Sequence, residues 1–378
     1  MFRNNTEREA FVHREVFQLV ILILIATAGF FLTRVFAANN RAMSLRDAAE
    51  WYKRGQQALE SGRIDVAVED FRRAAVRNRT ENAYVLALAR ALARSHDEEA
   101  ARRVLVTLRE ADPEDAGINL ELARLAAHRA DVPEAVRFYH NALYAPWPPE
   151  RSDARRDVRF ELIQFLLAHD QPSRAAAELL AVAADLPDEP AAHIHVAQLF
   201  FQAGDYHRSL DHFQRALRLA PDDGVALAGA GESAFRLGEY AVARSYLIRA
   251  PRDLDDVAAT KEIVESVLAD DPLTARIGSA ERRRRLVGDL ASTRQQLAAC
   301  IGQRTGAQAT TEELALQAEA EDVARQLSGP TVLDQDTIET GVDLVARLAR
   351  HIIQSCAAVT ARDRALVLIG RQHSAAAK

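Results

Sequence analysis

Cysteine, lysine and aromatic side chains are all scarce in this chain. Of 378 residues two are cysteines, Cys300 and Cys356, and aromatics make up 6%. So few cysteines exclude a disulfide-stapled scaffold and a paired-cysteine metal centre, and leave room for one bridge at most. With 48% hydrophobic residues and few rings, alanine, leucine and valine must fill the interior, as closely approaching short helices require. Only Lys53, Lys261 and Lys378 are lysines among 48 basic residues. Genome base composition is one explanation, and an arginine-selected anion-binding surface is the other. A net charge of -6 supplies no overall basic field, so nucleic acid is not an expected partner. Glycine-rich phosphate loops and nucleophile motifs are missing too, so we expect no enzyme activity, no cofactor and no small-molecule substrate.

What the chain does contain is a repeat. From Pro190 to Pro221 it reads as two amphipathic helices. The first carries Val196, Leu199, Phe200 and Ala203 at helical spacing and ends at Gly204-Asp205; the second carries Leu210, Phe213, Ala216 and Leu217 and stops at Pro221. The equivalent first-helix position, small in every unit but the fourth, recurs at Gly55, Ala89, Ala123, Ile163, Ala197 and Gly231, at intervals of 34, 34, 40, 34 and 34. A second small residue comes next at Ala67, Ala101, Ala135, Ala175, Ser209 and Ala243. A bulky one stands four later, at Phe71, Leu105, Tyr139, Leu179, Phe213 and Leu247.

This 34-residue helix-turn-helix pattern resembles the tetratricopeptide repeat. The resemblance implies an all-α fold: an α-solenoid of about six repeat units over 48–255, with a C-terminal helical region, 256–378, as its cap. It also implies a protein or peptide partner held on the face formed by the first helix of each unit. Residues on that face by helical spacing are Tyr52, Lys53 and Gln56 in the first unit. Arg90, Arg94, Arg124 and His128 belong to the second and third, a cationic patch suited to carboxylates. Phe160, Gln164, Ile194, Gln198 and Phe201 in the fourth and fifth suit apolar anchors, and Glu232 and Arg236 belong to the sixth. The lysine and asparagine pattern of the chaperone-tail clamp known in some family members is absent.

One long apolar run stands outside the repeats. Val16 to Leu32 is 17 residues without a charge, twelve of them Leu, Ile, Phe or Val. On the insertion scale those twelve contribute about -4 to -7 kcal/mol, which outweighs Gln18 and Thr27. We therefore expect a tail over 1–15, a transmembrane signal anchor over 16–33 and a polar linker over 34–47, giving a single-pass membrane protein. The rival is a signal peptide cleaved at Val35-Phe36-Ala37, disfavoured by the length of the run and by Arg34 beside the cut. Arg3, Arg8 and Arg14 balance Arg34, Arg41 and Arg46, so charge barely orients the segment. The array is expected on the extracytoplasmic, periplasmic side. The expected function is a membrane-anchored scaffold in an envelope complex, or alternatively an accessory that holds client polypeptides in a chaperone-like way.

Smaller features complete the reading. The six extra residues after the third unit contain Ala145-Pro146-Trp147-Pro148-Pro149, a rigid loop whose tryptophan either plugs the space between units or is displayed. Pro251 should shorten the second helix of the sixth unit. Helices are expected from Val257 to Ala269, from Ser279 to about Cys300, from a Thr310–Glu313 capping box, from Asp334 to Ala357 and from Ala361 to Arg371. His193, His195, His207 and His212 lie close in sequence, but His193 and His195 project about 200 degrees apart and the others sit on another helix, so no metal site is expected. Cys300 and Cys356 would pair in an oxidising compartment and otherwise be two small buried hydrophobes. Arg282 to Arg285 read as a solvated, locally paired surface.

Overall fold

In the computed structural model the described residues, 4–147, 151–251, 255–303, 309–329 and 333–376, form seventeen helices and no strand. They fall into two compact units, Met1–Asp170 and Gln171–Lys378.

Unit 1 begins with α1 (Asn4–Glu60), then α2 (Ile64–Arg77), α3 (Asn82–Arg94), α4 (Glu98–Ala111), α5 (Ala116–His128), α6 (Val132–Tyr144) and α7 (Ser152–Ala168). Each helix packs on the next, and first helices also touch the first helix of the following pair, as α3 does α5. The core is small-residue rich. Ala67, Ala74, Ala91, Ala101, Ala123, Ala126, Ala135 and Ala142 are all fully covered. Bulky residues then fill the remaining space: Phe71, Leu105 and Tyr139 are at most 2% exposed.

The repeat is visible in the backbone itself. Seven residues after each periodic first-helix position the chain adopts a left-handed turn: Gly62 (φ 71), His96 (φ 63), Ala130 (φ 55), Asp170 (φ 54), Gly204 (φ 77) and Gly238 (φ 79). The turn works as a helix stop, because the next amide bonds back to a carbonyl five residues earlier, as Asp97 does to Leu92 (3.0 Å) and Asp205 to Phe200 (2.9 Å). Asp97, Asp131 and Asp205 then cap the next helix, each accepting an amide hydrogen bond at 3.1 Å from Ala100, Glu134 and Arg208 respectively.

Unit 2 contains α8 (Pro172–Ala183), α9 (Pro190–Gln202), α10 (Tyr206–Leu219), α11 (Gly224–Arg236) and the 8-residue α12 (Tyr240–Leu247). α12 is cut short before Pro251 as its sequence requires; the earlier second helices have 12 to 14 residues. Its closing helices are α13 (Asp255–Asp270), α14 (Ser279–Gln303), α15 (Thr311–Leu327), α16 (Gln335–Ser355) and α17 (Ala361–Ala376). One apolar cluster runs from Ala197 and Phe213 through Leu247 and Val264 to Leu290, Leu348 and Leu366, so the last helices seal the repeat core. Arg285 donates to the Leu268 and Asp271 carbonyls at the end of α13, and Arg283 to that of Gly329 after α15. Two of the four consecutive arginines are thus C-terminal caps, while Arg284 and Arg285 also pair with Glu281. The Thr310–Glu313 capping box is formed. Cys300 and Cys356 are bridged, with Cα atoms 5.7 Å apart, joining the ends of α14 and α16. Buried Asp289 accepts a 2.7 Å bond from Arg362, which also serves Asp270; burial and the Asp270 charge nevertheless lift the Asp289 carboxyl to about 7.

The expected polar linker over 34–47 is instead helical. α1 runs without a break from the apolar run into the first repeat, 57 residues in all. Nothing between Arg34 and Asp47 is a proline or glycine, and Ser44 and Asp47 already contact Arg77 at the end of α2, so helix costs less than a turn there. The most apolar 18-residue window, in the part from Ile21 on, has mean hydropathy 2.1 with none of it buried, long and apolar enough to cross a membrane. Thr27 and Thr33 turn their hydroxyls back onto carbonyls of their own helix, which removes the cost of placing them in lipid. Trp147 is packed down, its indole N–H donating to the Ala142 carbonyl at 2.7 Å; Pro148 and Pro149 lie outside the described residues.

Two substitutions test the packing. Gly229→Ala places a Cβ 2.1 Å from the buried Phe213 ring, so it lowers stability by about 1–3 kcal/mol where a glycine-to-alanine change inside a helix ordinarily raises it. Ala130→Gly relieves a left-handed alanine and raises stability by roughly 1 kcal/mol. Chemical denaturation of both variants beside the unaltered chain reads the two signs.

Candidate functional site

The first helices of unit 1 set the site. Arg90 and Arg124 each follow a periodic alanine by one residue, so both fall on the same face of successive first helices. Arg90, Arg94, Arg124 and His128 come together around one hollow of about 520 Å³, with Leu59, Ala93 and Leu125 as its apolar lining and Glu98 and Glu121 between the cations.

The charges there are not free. Arg90 Nε donates to Glu121 at 2.7 Å; Arg124 reaches Glu121 at 3.0 Å and forks onto Glu161 at 2.9 and 2.8 Å; His128 Nδ1 lies 2.6 Å from Glu98. Glu161 also accepts from the Tyr139 hydroxyl at 2.8 Å. The Glu161 bond holds the Arg124 guanidinium well above its ordinary value, and burial with the Glu161 charge pushes the Tyr139 phenol up. The result is an arginine–glutamate ladder across α3, α5 and α7 whose fixed charges nearly cancel. Arg94, exposed at the rim, has no carboxylate partner among the described residues and is the patch's uncompensated cation.

The other expected residues divide between core and surface. Tyr52 is half-buried, its ring 5.6 Å from Phe71 and 4.8 Å from Tyr84, and so belongs partly to the core; Lys53 and Gln56 are exposed on α1. On α7, Phe160 is half-buried and Gln164 exposed. In unit 2, Ile194 packs against the core cluster, Gln198 is exposed, and half-buried Phe201 lies between Tyr206, at 5.2 Å, and the Arg236 guanidinium, at 5.8 Å. Arg236 is oriented by Glu232 at 2.9 Å, which also accepts from Thr260. The fifth and sixth first helices therefore offer an aromatic and amide surface with one steered cation.

Glu121 and Glu161 were not among the expected residues. Their signal is nonetheless periodic: each stands two residues before the periodic first-helix position of its unit, one unit on from the arginine it pairs with. Two of the four histidines meet across neighbouring helices. His193 on α9 and His212 on α10, both buried, meet with their Nδ1 atoms 3.2 Å apart. Among the described residues no group of three or more potential ligands could hold a metal ion.

Comparison with known proteins bears on the repeats alone. The family model for the tetratricopeptide repeat matches residues 86–150, 160–224 and 197–258. No curated protein sequence matches. Similar solved structures include pilF of Pseudomonas aeruginosa, 15% identical over 55% of this chain and 91% of that one, with a TM-score of 0.39. YrrB, a tetratricopeptide protein with an unusual peptide-binding site, is 18% identical over 50% and 96%, with a TM-score of 0.40. The C-terminal part of a repeat protein from Cytophaga hutchinsonii is 12% identical over 77% and 98%, with a TM-score of 0.41.

The burial of His212 makes the fold acid-sensitive. Burial first, then Arg215 and His193, lowers His212 to about 4. An unfolded chain takes up that proton near pH 6.5 while the folded one refuses it, so stability from this residue is full above pH 6.5 and falls on acidification towards pH 4, by roughly 2–3 kcal/mol. Asp289 has the opposite sign, since its raised value favours the folded state on acidification. The difference in unfolding free energy between the native chain and His212→Asn, tracked from pH 7 to 4.5, isolates the histidine and is expected to narrow or reverse as pH falls.

Proposed function

We propose that this chain, which carries tetratricopeptide repeats, is a membrane-anchored interaction scaffold whose first-helix face holds a peptide segment of a protein partner in an envelope-associated complex. The observation that carries the reading is the neutralised ladder with Arg94 left over. A face whose arginines are tied to glutamates is preorganised, and the spare cation and flanking apolar positions offer a partner one charge contact and several anchors. The partner segment this fits has an acidic residue for Arg94 and an apolar side chain for the wall made by Leu59, Ala93 and Leu125. The exposed Lys53, Gln56 and Gln164 supply side-chain hydrogen bonds to its backbone.

Two features support the membrane side of the proposal. α1 carries the apolar run directly into the first repeat, so a cut after Ala37 would divide a continuous helix; this favours an anchor over a removed leader. The Cys300–Cys356 bridge belongs to an oxidising compartment, which favours an extracytoplasmic array.

Affinity capture from detergent extract tests the proposal with paired variants. The scaffold reading expects stoichiometric partners that are weakened roughly tenfold by Arg94→Glu, a charge-pair loss, and retained by Arg364→Glu at an exposed site on α17. Arg90→Glu and Arg124→Glu are poor probes, because they break the ladder. Heterogeneous unfolded clients insensitive to Arg94→Glu would support the chaperone-like alternative and sink this one. Thiol labelling of intact cells, expected only after an impermeant reductant, reads the orientation.

A further inference from the structure

The end of the first repeat nearest the apolar run carries charge that neither the ladder nor the partner face uses. α2 runs back along α1, and its last residue is pinned low on that helix. The Ser44 hydroxyl donates to the Arg77 carbonyl at 3.1 Å, and the Arg77 guanidinium lies 3.6 Å from Asp47. The turn over 78–81 that follows is therefore the part of this repeat closest to the apolar run. Asn78 holds its shape, with Oδ1 accepting from the Thr80 amide at 3.3 Å and the Thr80 hydroxyl at 2.8 Å.

Positive charge gathers at this level. Segments 34–47 and 72–81 carry seven arginines against two carboxylates, Asp47 and Glu81. Counting Glu50 and Glu69 beside them still leaves an excess of +3, in a chain whose net charge is -6. Three of the arginines are held, Arg72 and Arg73 by Glu69 at 3.2 and 3.0 Å and Arg77 by Asp47. Arg34, Arg41, Arg46 and Arg79 are exposed and have no carboxylate partner among the described residues. Counting back from Ala48, which is fully covered, Arg41 and Arg34 come seven and fourteen residues earlier. They fall within about 40 degrees of the same side of α1, beneath the hairpin.

Height above the bilayer selects what meets this charge. With the apolar run in the hydrocarbon and Arg34 at its edge, Ser44 stands about 15 Å further along α1. Headgroups fill about 5–8 Å of that distance, and the remainder is about one Debye length. A tilt of about 20 degrees towards the hairpin, ordinary for a single span, lowers the turn by a further 3 Å or so. An acidic protein must enter this gap past the headgroups, whereas lipid phosphate is already there.

We infer that the turn over 78–81, with Arg34 and Arg41 beneath it, docks on anionic lipid headgroups of the leaflet that α1 leaves, and so fixes the tilt of the first repeat over the membrane. Guanidinium groups suit that occupant because they meet phosphate oxygens through paired N–H donors. The inference rests on the anchor reading of α1; it needs anionic lipid only in that leaflet, and so holds for either orientation of the array.

The test uses the full chain in nanodiscs of phosphatidylcholine alone and of phosphatidylcholine mixed with phosphatidylglycerol. Both native cysteines are bridged, so Thr80→Cys gives a single reactive thiol for a fluorophore, which a lipid spin-labelled at its headgroup quenches on contact. Expected is strong quenching with phosphatidylglycerol, little without it, and loss of the difference in about 1 M salt, where the Debye length is about 3 Å. Each arginine near the surface favours the docked state about fivefold, so Arg41→Ser combined with Arg79→Ser lowers the docked-to-free ratio roughly thirtyfold. Both side chains are exposed, and circular dichroism verifies that the double variant keeps its fold. Equal quenching in the two lipids, or quenching unchanged in the double variant, overturns the inference and leaves the anchor reading standing. A chain that elutes apart from the discs overturns both. Soluble polyglutamate that displaces the turn from phosphatidylglycerol at concentrations on the order of 1 μM assigns the patch to an acidic polypeptide, and overturns the inference as well.

Discussion

Two helices of a repeat can approach only as closely as the side chain between them permits, and every other feature of this protein depends on that spacing. A methyl group added at Gly55 would lie 2.6 Å from the Phe71 ring, and one at Gly231 would lie 2.6 Å from Leu247. These are the same periodic positions, the small residue of the first helix and the bulky residue of the second. Dispersion between surfaces held that close is what lets an alanine-rich interior with few rings cohere. The same distance fixes the turn, because a tight hairpin between neighbouring helices needs a left-handed residue where the first one ends. Three of the six turns take that conformation without glycine, at His96, Ala130 and Asp170, so packing outweighs local preference there.

Once the helices are spaced, charges one unit apart are brought within reach, and the ladder forms. Arg90, Glu121, Arg124 and Glu161 lie in alternating register along successive first helices. Each bond joins a half-exposed guanidinium to a more covered glutamate, Glu121 being buried, and solvent at the arginine end keeps its individual contribution modest. Their joint effect is to fix guanidinium planes that would otherwise sample many rotamers, and to leave a face that is polar yet almost uncharged. An arginine-rich face read as a site for anions is thus largely a device for holding neighbouring hairpins in register.

Legibility in the sequence tracks how local the cause is. The 34-residue period, the capping box at Thr310 and Glu313 and the shortening before Pro251 were all readable, since each depends on residues within a turn or two. The face residues were readable as positions: Arg90, Arg94, Arg124 and His128 do converge on one hollow. Their charge state was not, because Glu121 and Glu161 contribute only once units are stacked. The helical stretch over 34–47 was hidden for a different reason. Asn39 and Asn40 are indifferent helix formers, and continuity comes from the apolar run on one side and the contacts of Ser44 and Asp47 with Arg77 on the other. The His193–His212 meeting is a pairing across two helices that one-helix geometry cannot show.

The unbroken α1 makes the first hairpin and the apolar segment parts of a single rigid shaft. Each residue of a helix rotates the next by about 100 degrees around the axis and lifts it by about 1.5 Å. Adding one residue between Arg34 and Ala48 would therefore swing the arginine face about a quarter turn around the shaft, whereas seven would return it within about 20 degrees and displace it by only about 10 Å. The length of this stretch acts as an angular setting, disturbed far less by a whole double turn than by a single residue.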